Sequence, residues 1–476
     1  MPHQSWEARA QVKREQLSTL VPPEWKLDNV PSVSQCSNAI GWGRVFLTDE
    51  EALITETSAR NILANIHAQV WSAEGVLQAF CHRAAVAHQL TNCLSEILFN
   101  EALATARELD RQFRSTGTLT GPLHGLPMSF MDRYRLEGSE TSAGFVSWLG
   151  PKETLESESL LVAHLRKLGA IPFCKTIVPQ SMMLASTENN IFGSTLNPYG
   201  RNLSAGGAAG GEGALLAMKG SPFGWVTEIA GSARIPAAFN GLFALRVCTG
   251  RLPTLGIASS SSALPVCGIT PAMITSDLVS LQHVARLTLG SNAYQEDSQW
   301  LDLPWREMKF SQQFQARPTF AILKHDHHVQ THPPVQRALD IVSKALTAQG
   351  YEVIQWDPPR HHAAVQTLFR IIGADGGSEI RREIKASGES PVKQLEAWFS
   401  ESESSSRISV EEFWSLCSER TKYNLLYHKY WKQSKMRTTS KRQVDGVIMP
   451  VTADAAAYEN GLTYFGRSVF ERITLS

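Results

Sequence analysis

The chain has 476 residues, enough for one large α/β domain or for two or three smaller ones. Hydrophobic residues make up 43% and charged residues 19%, which is typical of a globular protein and excludes a disordered one. Lys+Arg and Asp+Glu balance at 45 each, so no basic face is indicated for nucleic acid or an anionic membrane. No apolar run approaches the roughly 20 residues of a membrane helix. The expected partner is a small neutral or mixed-polarity molecule.

Cysteine usage and the N-terminus favour a cytosolic protein. The seven cysteines are scattered and contain no CxxC pair, which favours free buried thiols in a reducing compartment. The N-terminal residues, MPHQSWEARAQVKREQL, contain no apolar segment of a secretory signal.

A histidine-rich segment, residues 325–332, is a conceivable metal site. Imidazoles and a carboxylate are good metal ligands, but the spacing here matches no metal motif, so we expect a solvated loop and neither a metal nor another cofactor. The residues concerned are His325, Asp326, His327, His328 and His332.

Helical patterns dominate the first 114 residues. Residues 4–20 are amphipathic and precede Pro22-Pro23, which predicts a helix that stops there. Thr48 followed by Glu51 is typical of a capping box at a helix start. Between residues 57 and 114, apolar residues recur at every fourth position, and we predict helices that flank a sheet. The repeating residues are Val86, Leu90, Leu94, Leu98 and Ala102.

From residue 120 onward, apolar segments alternate with helical patterns, which predicts an α/β fold. Residues 121–127 form a predicted turn, and residues 128–131 form a short buried strand. Residues 159–175 predict a helix that is followed at Gly169 by a strand.

Later segments extend this pattern. Residues 187–198 fit either a pocket rim or an ordinary loop with Asn and Thr hydrogen bonds. A surface excursion is expected over residues 290–316. Residues 317–357 predict strand, loop, helix and strand, and residues 445–451 a late core strand.

The most informative stretch is residues 203–253, where three glycine-rich turns surround two apolar segments. The first turn permits positive φ and close backbone approach, and the EGALLAM that follows predicts a buried helix. The second turn, residues 227–232, enters a short helix near Arg234 and aligns backbone N–H groups that can hold an oxyanion. Ser232 lies beside these groups. The glycines of the first turn are Gly206, Gly207, Gly210 and Gly211.

This stretch resembles the signature of the amidase signature family, in which GGSSGGEGAL is followed by TDIGGSIRIPAAFCGLFGLKPT. The resemblance implies a large, mixed, mostly parallel sheet flanked by helices. It also implies a serine hydrolase with a lysine, a serine in a cis peptide and a nucleophilic serine. The nucleophile falls on Ser232 and the bridging serine on Ala208. The family's GPLHGIPVSVKD segment places the lysine at Met131, so two of three catalytic side chains are absent.

The same resemblance implies an oxyanion hole. Its donors are the backbone N–H groups of Ile229, Ala230 and Gly231, with Gly206 and Gly207 beside them as substrate-binding residues. The family has Asp where this chain has Glu228, and Gly where it has Ala230. His124, Asp132 and Arg234 also match family positions, and structural hydrogen bonding is expected for all three.

Loss of the proton relay predicts that amide hydrolysis is nearly absent. Neither Met131 nor Ala208 can accept or relay a proton, so Ser232 would keep an ordinary alcohol pKa. Triad deletions in serine hydrolases cost about 10⁴ to 10⁶ in turnover.

Three functions remain open. The first is a degenerate amidase whose pocket serves a non-hydrolytic step on an amide or carbonyl metabolite, for example in fungal specialised metabolism. The second is a working amide hydrolase that forms an acyl-enzyme through Ser232 with a substitute base. The third is a non-catalytic binding or dimerisation protein, or a truncated remnant.

The resemblance covers residues 5–465 and predicts a single domain of 476 residues. It would comprise an N-terminal helical segment (1–60), a signature core (120–255) and a peripheral region (290–440). Members of the family generally continue beyond the point where this chain ends. The family's C-terminal elements are therefore expected to be missing, with residues 464–475 or a second copy of the chain covering the exposed edge.

Overall fold

The computed structural model describes residues 4–260, 268–291, 296–298, 300–303, 305, 317–326, 329–359, 361–401 and 406–458. Predictions for Cys267, His327, His328 and residues 464–475, and for most of 290–316, lie outside these ranges.

Helices and strands alternate along the chain and are numbered in order. The helices are α1 (Trp6–Leu20), α2 (Trp42–Val45), α3 (Asp49–Glu56), α4 (Ala59–His67), α5 (Ala73–Thr91), α6 (Phe99–Thr116), α7 (Leu160–Lys167), α8 (Gly210–Ala217), α9 (Arg234–Phe239), α10 (Leu278–Leu289), α11 (Pro333–Ala348), α12 (His361–Ile372), α13 (Ser378–Ser387), α14 (Lys393–Glu401) and α15 (Val410–Gln433). The strands are β1 (Leu94–Ile97), β2 (Pro127–Met131), β3 (Ile171–Thr176), β4 (Glu188–Asn189), β5 (Gly193–Ser194), β6 (Leu196–Asn197), β7 (Gly200–Ser204), β8 (Gly224–Glu228), β9 (Phe243–Arg246), β10 (Thr270–Thr275), β11 (Thr319–Ile322), β12 (Glu352–Gln355) and β13 (Gly446–Ile448).

The described strands form a mixed main sheet in the order β1-β3-β2-β8-β10-β9. Its centre is parallel, because β2 runs parallel to both β3 and β8. The outer pairs β1-β3, β8-β10 and β10-β9 are antiparallel. A smaller sheet, β12-β11-β13, is parallel throughout. The predicted mixed sheet is confirmed. Parallel pairing is limited to the centre of the main sheet and to the smaller sheet. The outer strands of the main sheet pair antiparallel, and such neighbours need no crossover helix.

The central strands are completely buried, which explains their apolar sequences. Every residue of β2, β3, β8 and β10 is buried. Helix α8 packs on all four of these strands and also against α5 and α9. The glycine-rich turn that precedes α8 is thereby held over the middle of the sheet.

The prediction of helices alone between residues 57 and 114 is wrong at Leu94. Helices α4, α5 and α6 are present, but β1 separates α5 from α6. Asn92 ends α5 in the left-handed region, at φ 52°, and the chain then pairs with β3. Every residue of β1 is buried, so an apolar period of four residues could not distinguish the strand from a helix.

The N-terminal predictions are confirmed. Helix α1 spans Trp6–Leu20, and Thr48 and Glu51 form the capping box of α3. Lys13 of α1 forms a buried ion pair with Glu96 of β1 and lies 3.6 Å from Glu140. The first helix is therefore tied to the sheet by charge as well as by apolar packing.

A buried carboxylate, that of Glu389, connects the region after residue 360 to the core. Glu389 accepts hydrogen bonds from Gln180 Nε2 (2.8 Å), Asn190 Nδ2 (2.9 Å) and the Val146 N–H (2.9 Å). An apolar cluster joins the same region to the turn that follows β8. It consists of Ile229, Ile371, Ile372 and Leu416.

Candidate active site

Strand β8 delivers the turn of residues 229–232 to the start of α9. Gly231 has φ 111°, a conformation that strongly favours glycine. Ala230 is not among the residues with positive φ, so alanine causes no backbone strain there. Ser232 follows and is half-buried, which leaves its hydroxyl accessible to a ligand.

The Glu228 carboxylate holds this turn. Its Oε2 accepts hydrogen bonds from the N–H groups of Ala233 (3.1 Å) and Arg234 (3.2 Å), and its Oε1 accepts from Arg234 Nε (2.6 Å). A carboxylate at a helix N-terminus also interacts favourably with the helix dipole. Glu228 thus fixes the entry to α9 in the position where the resemblance implies an aspartate. The structural role expected for Arg234 is observed.

The backbone of the turn offers unused donors. In the part of the chain that the structure describes, the N–H groups of Ile229, Ala230, Gly231 and Ser232 donate no hydrogen bond. Donors of this kind polarise a carbonyl or stabilise an oxyanion when they converge on it.

The first glycine turn lies against the second one. Gly206 has φ 82°, and the peptide bond between Gly207 and Ala208 is cis. The Ala209 N–H donates to the Ser232 carbonyl at 3.1 Å, which joins the two turns. The side chain of Ala208 is buried, at 1% exposure, and contributes no hydroxyl to the site.

Thr187 fixes the first turn. Its Oγ1 donates to the Gly206 carbonyl (2.8 Å) and accepts from the Gly210 N–H (3.0 Å). A Cβ at Gly207 would lie 2.5 Å from the Leu184 carbonyl oxygen, so the turn has no room for a side chain there. Glycine is therefore needed at Gly207. The loop of residues 187–198 supports the turn through the two hydrogen bonds of Thr187.

Met131 ends β2 as a buried side chain. It is 1% exposed, and its Sδ accepts a contact of 3.6 Å from Thr227 Oγ1. It does not belong to the lining of the cavity beside Ser232. Its surroundings therefore match the interpretation of Met131 as a core filler.

A small recess of about 30 Å³ opens beside Ser232. Four of the predicted site residues line it, namely Gly207, Ile229, Ala230 and Ser232. Gly206, Ala208, Gly231 and Met131 are not part of this lining.

Sequence reasoning missed Arg133 in the cavity wall, together with Met183 and Ile372. A single arginine after an apolar strand forms no pattern. The distant chain segments that complete the wall are brought together only by the fold.

His124 has a hydrogen bond and a ring contact of its own. Its Nδ1 accepts a hydrogen bond of 3.1 Å from the Thr120 N–H, and its ring packs edge-on against Phe113. Burial lowers the pKa of His124, so the ring favours its neutral form. His124 precedes β2 and Met131 ends this strand, so the strand separates the two residues. Its five extended residues span on the order of 13 Å. The structural role expected for His124 is observed.

Asp132 and Lys175 form a buried ion pair of 2.7 Å, and Asp132 also accepts from Ser142 Oγ at 2.5 Å. The Lys175 ammonium donates further to the Glu140 carbonyl (2.7 Å) and to Thr141 Oγ1 (2.9 Å). Lys175 is thus committed to structural partners and does not replace a lysine at position 131. The hydrogen-bonding role expected for Asp132 is observed.

Comparisons with known proteins decide the family. The family model named Amidase matches residues 75–465. The chain is 37% identical over 474 residues to an acetamidase of Aspergillus oryzae, covering 98% of this chain and 85% of the relative. The chain belongs to the amidase family. It is also 35% identical over 470 residues to an acetamidase of Emericella nidulans, covering 97% of this chain and 84% of that one.

Solved structures agree with this assignment. Fatty acid amide hydrolase superposes on the amidase-family chain with a TM-score of 0.90 and 28% identity, covering 99% of this chain and 82% of the other. The predicted family resemblance and fold class are thereby confirmed.

The described ranges contain neither a membrane-spanning helix nor a metal-binding cluster. No helix there combines the length and the apolar character needed to cross a bilayer. No group of three or more His, Cys, Asp or Glu side chains there could hold a metal ion.

Proposed function

We propose that this amidase-family protein binds a small amide or carbonyl compound against the turn of residues 229–232 and hydrolyses amides poorly or not at all. The observation that carries the proposal is the environment of Ser232. Among the described residues, no side chain forms a hydrogen bond with its hydroxyl. The positions where the resemblance implies the proton relay hold Met131 and Ala208.

A serine without a proton acceptor is a weak nucleophile. The attacking oxygen must lose its proton as the bond to the carbonyl carbon forms, and an ordinary alcohol does so slowly at neutral pH. The oxyanion hole and substrate binding alone retain ~10³-fold acceleration over water in triad-deleted serine hydrolases. The unused N–H groups of the turn can still polarise a bound carbonyl. A non-hydrolytic step such as cyclisation or isomerisation uses that polarisation without an acyl-enzyme.

A working hydrolase is the second candidate function. It is favoured by the two fungal relatives named acetamidase and by the position of Ser232 in the cavity wall. It requires a base within reach of the hydroxyl. The two residues considered for that role, His124 and Lys175, have structural partners elsewhere.

Comparison of the natural protein with Ser232→Ala separates the two functions. We expect acetamide hydrolysis by both proteins to be equally close to background, and no fluorophosphonate labelling of either. A circular dichroism spectrum and melting curve shared by the two proteins serve as the control for folding. Acetamide turnover that Ser232→Ala abolishes would overturn the proposal in favour of the hydrolase.

The setting of this function is part of the same proposal. We infer a cytosolic protein from a fungus, because the acetamidase relatives are fungal, and we propose a role in specialised metabolism. Its expected partner is a small amide or carbonyl compound rather than nucleic acid or a membrane, and the assembly to test is a homodimer. Sedimentation of the purified chain distinguishes monomer from dimer.

A further inference from the structure

Arg133 is a buried cation in the wall of the cavity beside Ser232. Its side chain follows the end of β2 and is 4% exposed. Nε donates to the Ala258 carbonyl at 3.0 Å, and Nη1 donates to Thr227 Oγ1 at 2.9 Å. Within the described part of the chain, Nη2 donates no hydrogen bond and no carboxylate pairs with the guanidinium.

An unpaired buried charge calls for a counter-charge. Burial lowers the pKa of Arg133 to about 10, so the guanidinium still carries its proton at neutral pH. Buried charges in proteins are normally paired, because desolvation of a lone ion is costly. The lining formed by the described residues has no other charged side chain, and it includes the apolar side chains of Met183, Ile235 and Ile372. A ligand is therefore the available source of an anion.

The guanidinium also lies close to the side chain at position 131. Thr227 Oγ1 accepts from Arg133 Nη1 and contacts Met131 Sδ at 3.6 Å, so one hydroxyl separates the two side chains. A permanent cation cannot accept a proton from Ser232. Arginine at position 133 therefore provides anion recognition where the resemblance implies a base at position 131.

We propose that Arg133 selects ligands that carry a carboxylate a short distance from their amide or carbonyl group, together with an apolar remainder. The free Nη2 nitrogen matches one carboxylate of a ligand whose amide or carbonyl group lies against the turn of residues 229–232. The inference rests on the proposed function, because both place the ligand beside Ser232. It names the substrate class.

Paired probes test the proposal by isothermal titration calorimetry. Hexanoylglycine has an acyl chain, an amide and a carboxylate, and hexanoylglycinamide replaces only the carboxylate by a neutral amide. We expect the natural protein to bind the acid about tenfold or more tightly than the amide, the usual gain from a charge-assisted hydrogen bond. Arg133→Gln should remove this preference, and Arg133→Lys should keep part of it.

Arg111→Gln serves as the matched control, because Arg111 pairs with Glu108 on the surface and its loss should leave the preference for the acid unchanged. Melting curves establish that each variant is folded, and the lysine variant covers failure of the glutamine variant to fold. Equal binding of the two probes by the natural protein, or no binding of the acid at millimolar concentration, would overturn the proposal. So would an unchanged preference in Arg133→Gln. Since the readout is binding, hydrolysis of acetamide would contradict the proposed function and leave this inference standing.

Discussion

At the scale of single residues, the candidate site is an anchored turn that carries Ser232. Glu228 accepts two backbone N–H groups and the Arg234 side chain, and this arrangement positions the turn without using the donors that face a ligand. The residues that would move protons are the ones that differ from the family's pattern. Anchoring and proton transfer are thus separable in this chain.

Glu228→Gln tests the anchoring role. The substitution removes the charge that Arg234 and two N–H groups share, so we expect a loss of about 1–3 kcal/mol in the free energy of unfolding, measured with urea. Glu108→Gln is the control, because Glu108 pairs with Arg111 on the surface and should show no measurable change. Equal stability of the Glu228 variant and the natural protein would contradict the role.

At the scale of elements, α8 is attached to the sheet by a buried carboxylate. Glu212 of α8 bonds to Ser129 of β2 and accepts from Thr176 Oγ1 of β3 at 2.7 Å. Burial raises the pKa of Glu212 from 4.5 to about 7, although both hydroxyl contacts act in the opposite direction. The folded state, in which this helix is attached to the sheet, is therefore most stable relative to the unfolded chain when the Glu212 carboxyl is protonated.

This attachment predicts a pH dependence of stability. The folded carboxyl binds its proton more tightly than the unfolded one, so its contribution is complete below pH 4.5 and is lost as pH rises through about 7. Between pH 4.5 and about 7, we expect the free energy of unfolding of the natural protein to fall by about 3 kcal/mol relative to that of Glu212→Gln. Urea unfolding of both proteins across the interval measures the difference. Parallel curves would contradict the prediction.

Sequence patterns predicted most elements around the site but not how they meet. The capping box of Thr48 and Glu51, the strand that ends at Met131 and the helix after Gly210 have local signals, and all three are present. Strand β1 was not predicted, because the apolar residues in and around it recur at every fourth position, as they do in a helix, and because the strand is buried throughout. Arg133 was missed because its role depends on a cavity formed by segments that are far apart in sequence.

At the scale of the whole molecule, the region after residue 360 packs against the part of the chain that carries Ser232. Glu389 docks that region on Gln180 and Asn190, and Ile372 reaches the cavity beside Ser232. The fold superposes on fatty acid amide hydrolase with a TM-score of 0.90. The overall fold is therefore that of the amidase family, and the proposed loss of hydrolysis rests on two side chains, Met131 and Ala208.

Restoring those two side chains is the most direct test of this account. In the double variant Met131→Lys and Ala208→Ser, the retained frame should give measurable acetamide hydrolysis and fluorophosphonate labelling at Ser232. Addition of Ser232→Ala to it should abolish both. We expect the rate to rise at least ~10³-fold above the natural protein, since triad losses cost about 10⁴ to 10⁶. Natural protein that already hydrolyses acetamide through Ser232, at a rate the double variant does not exceed, would contradict the account.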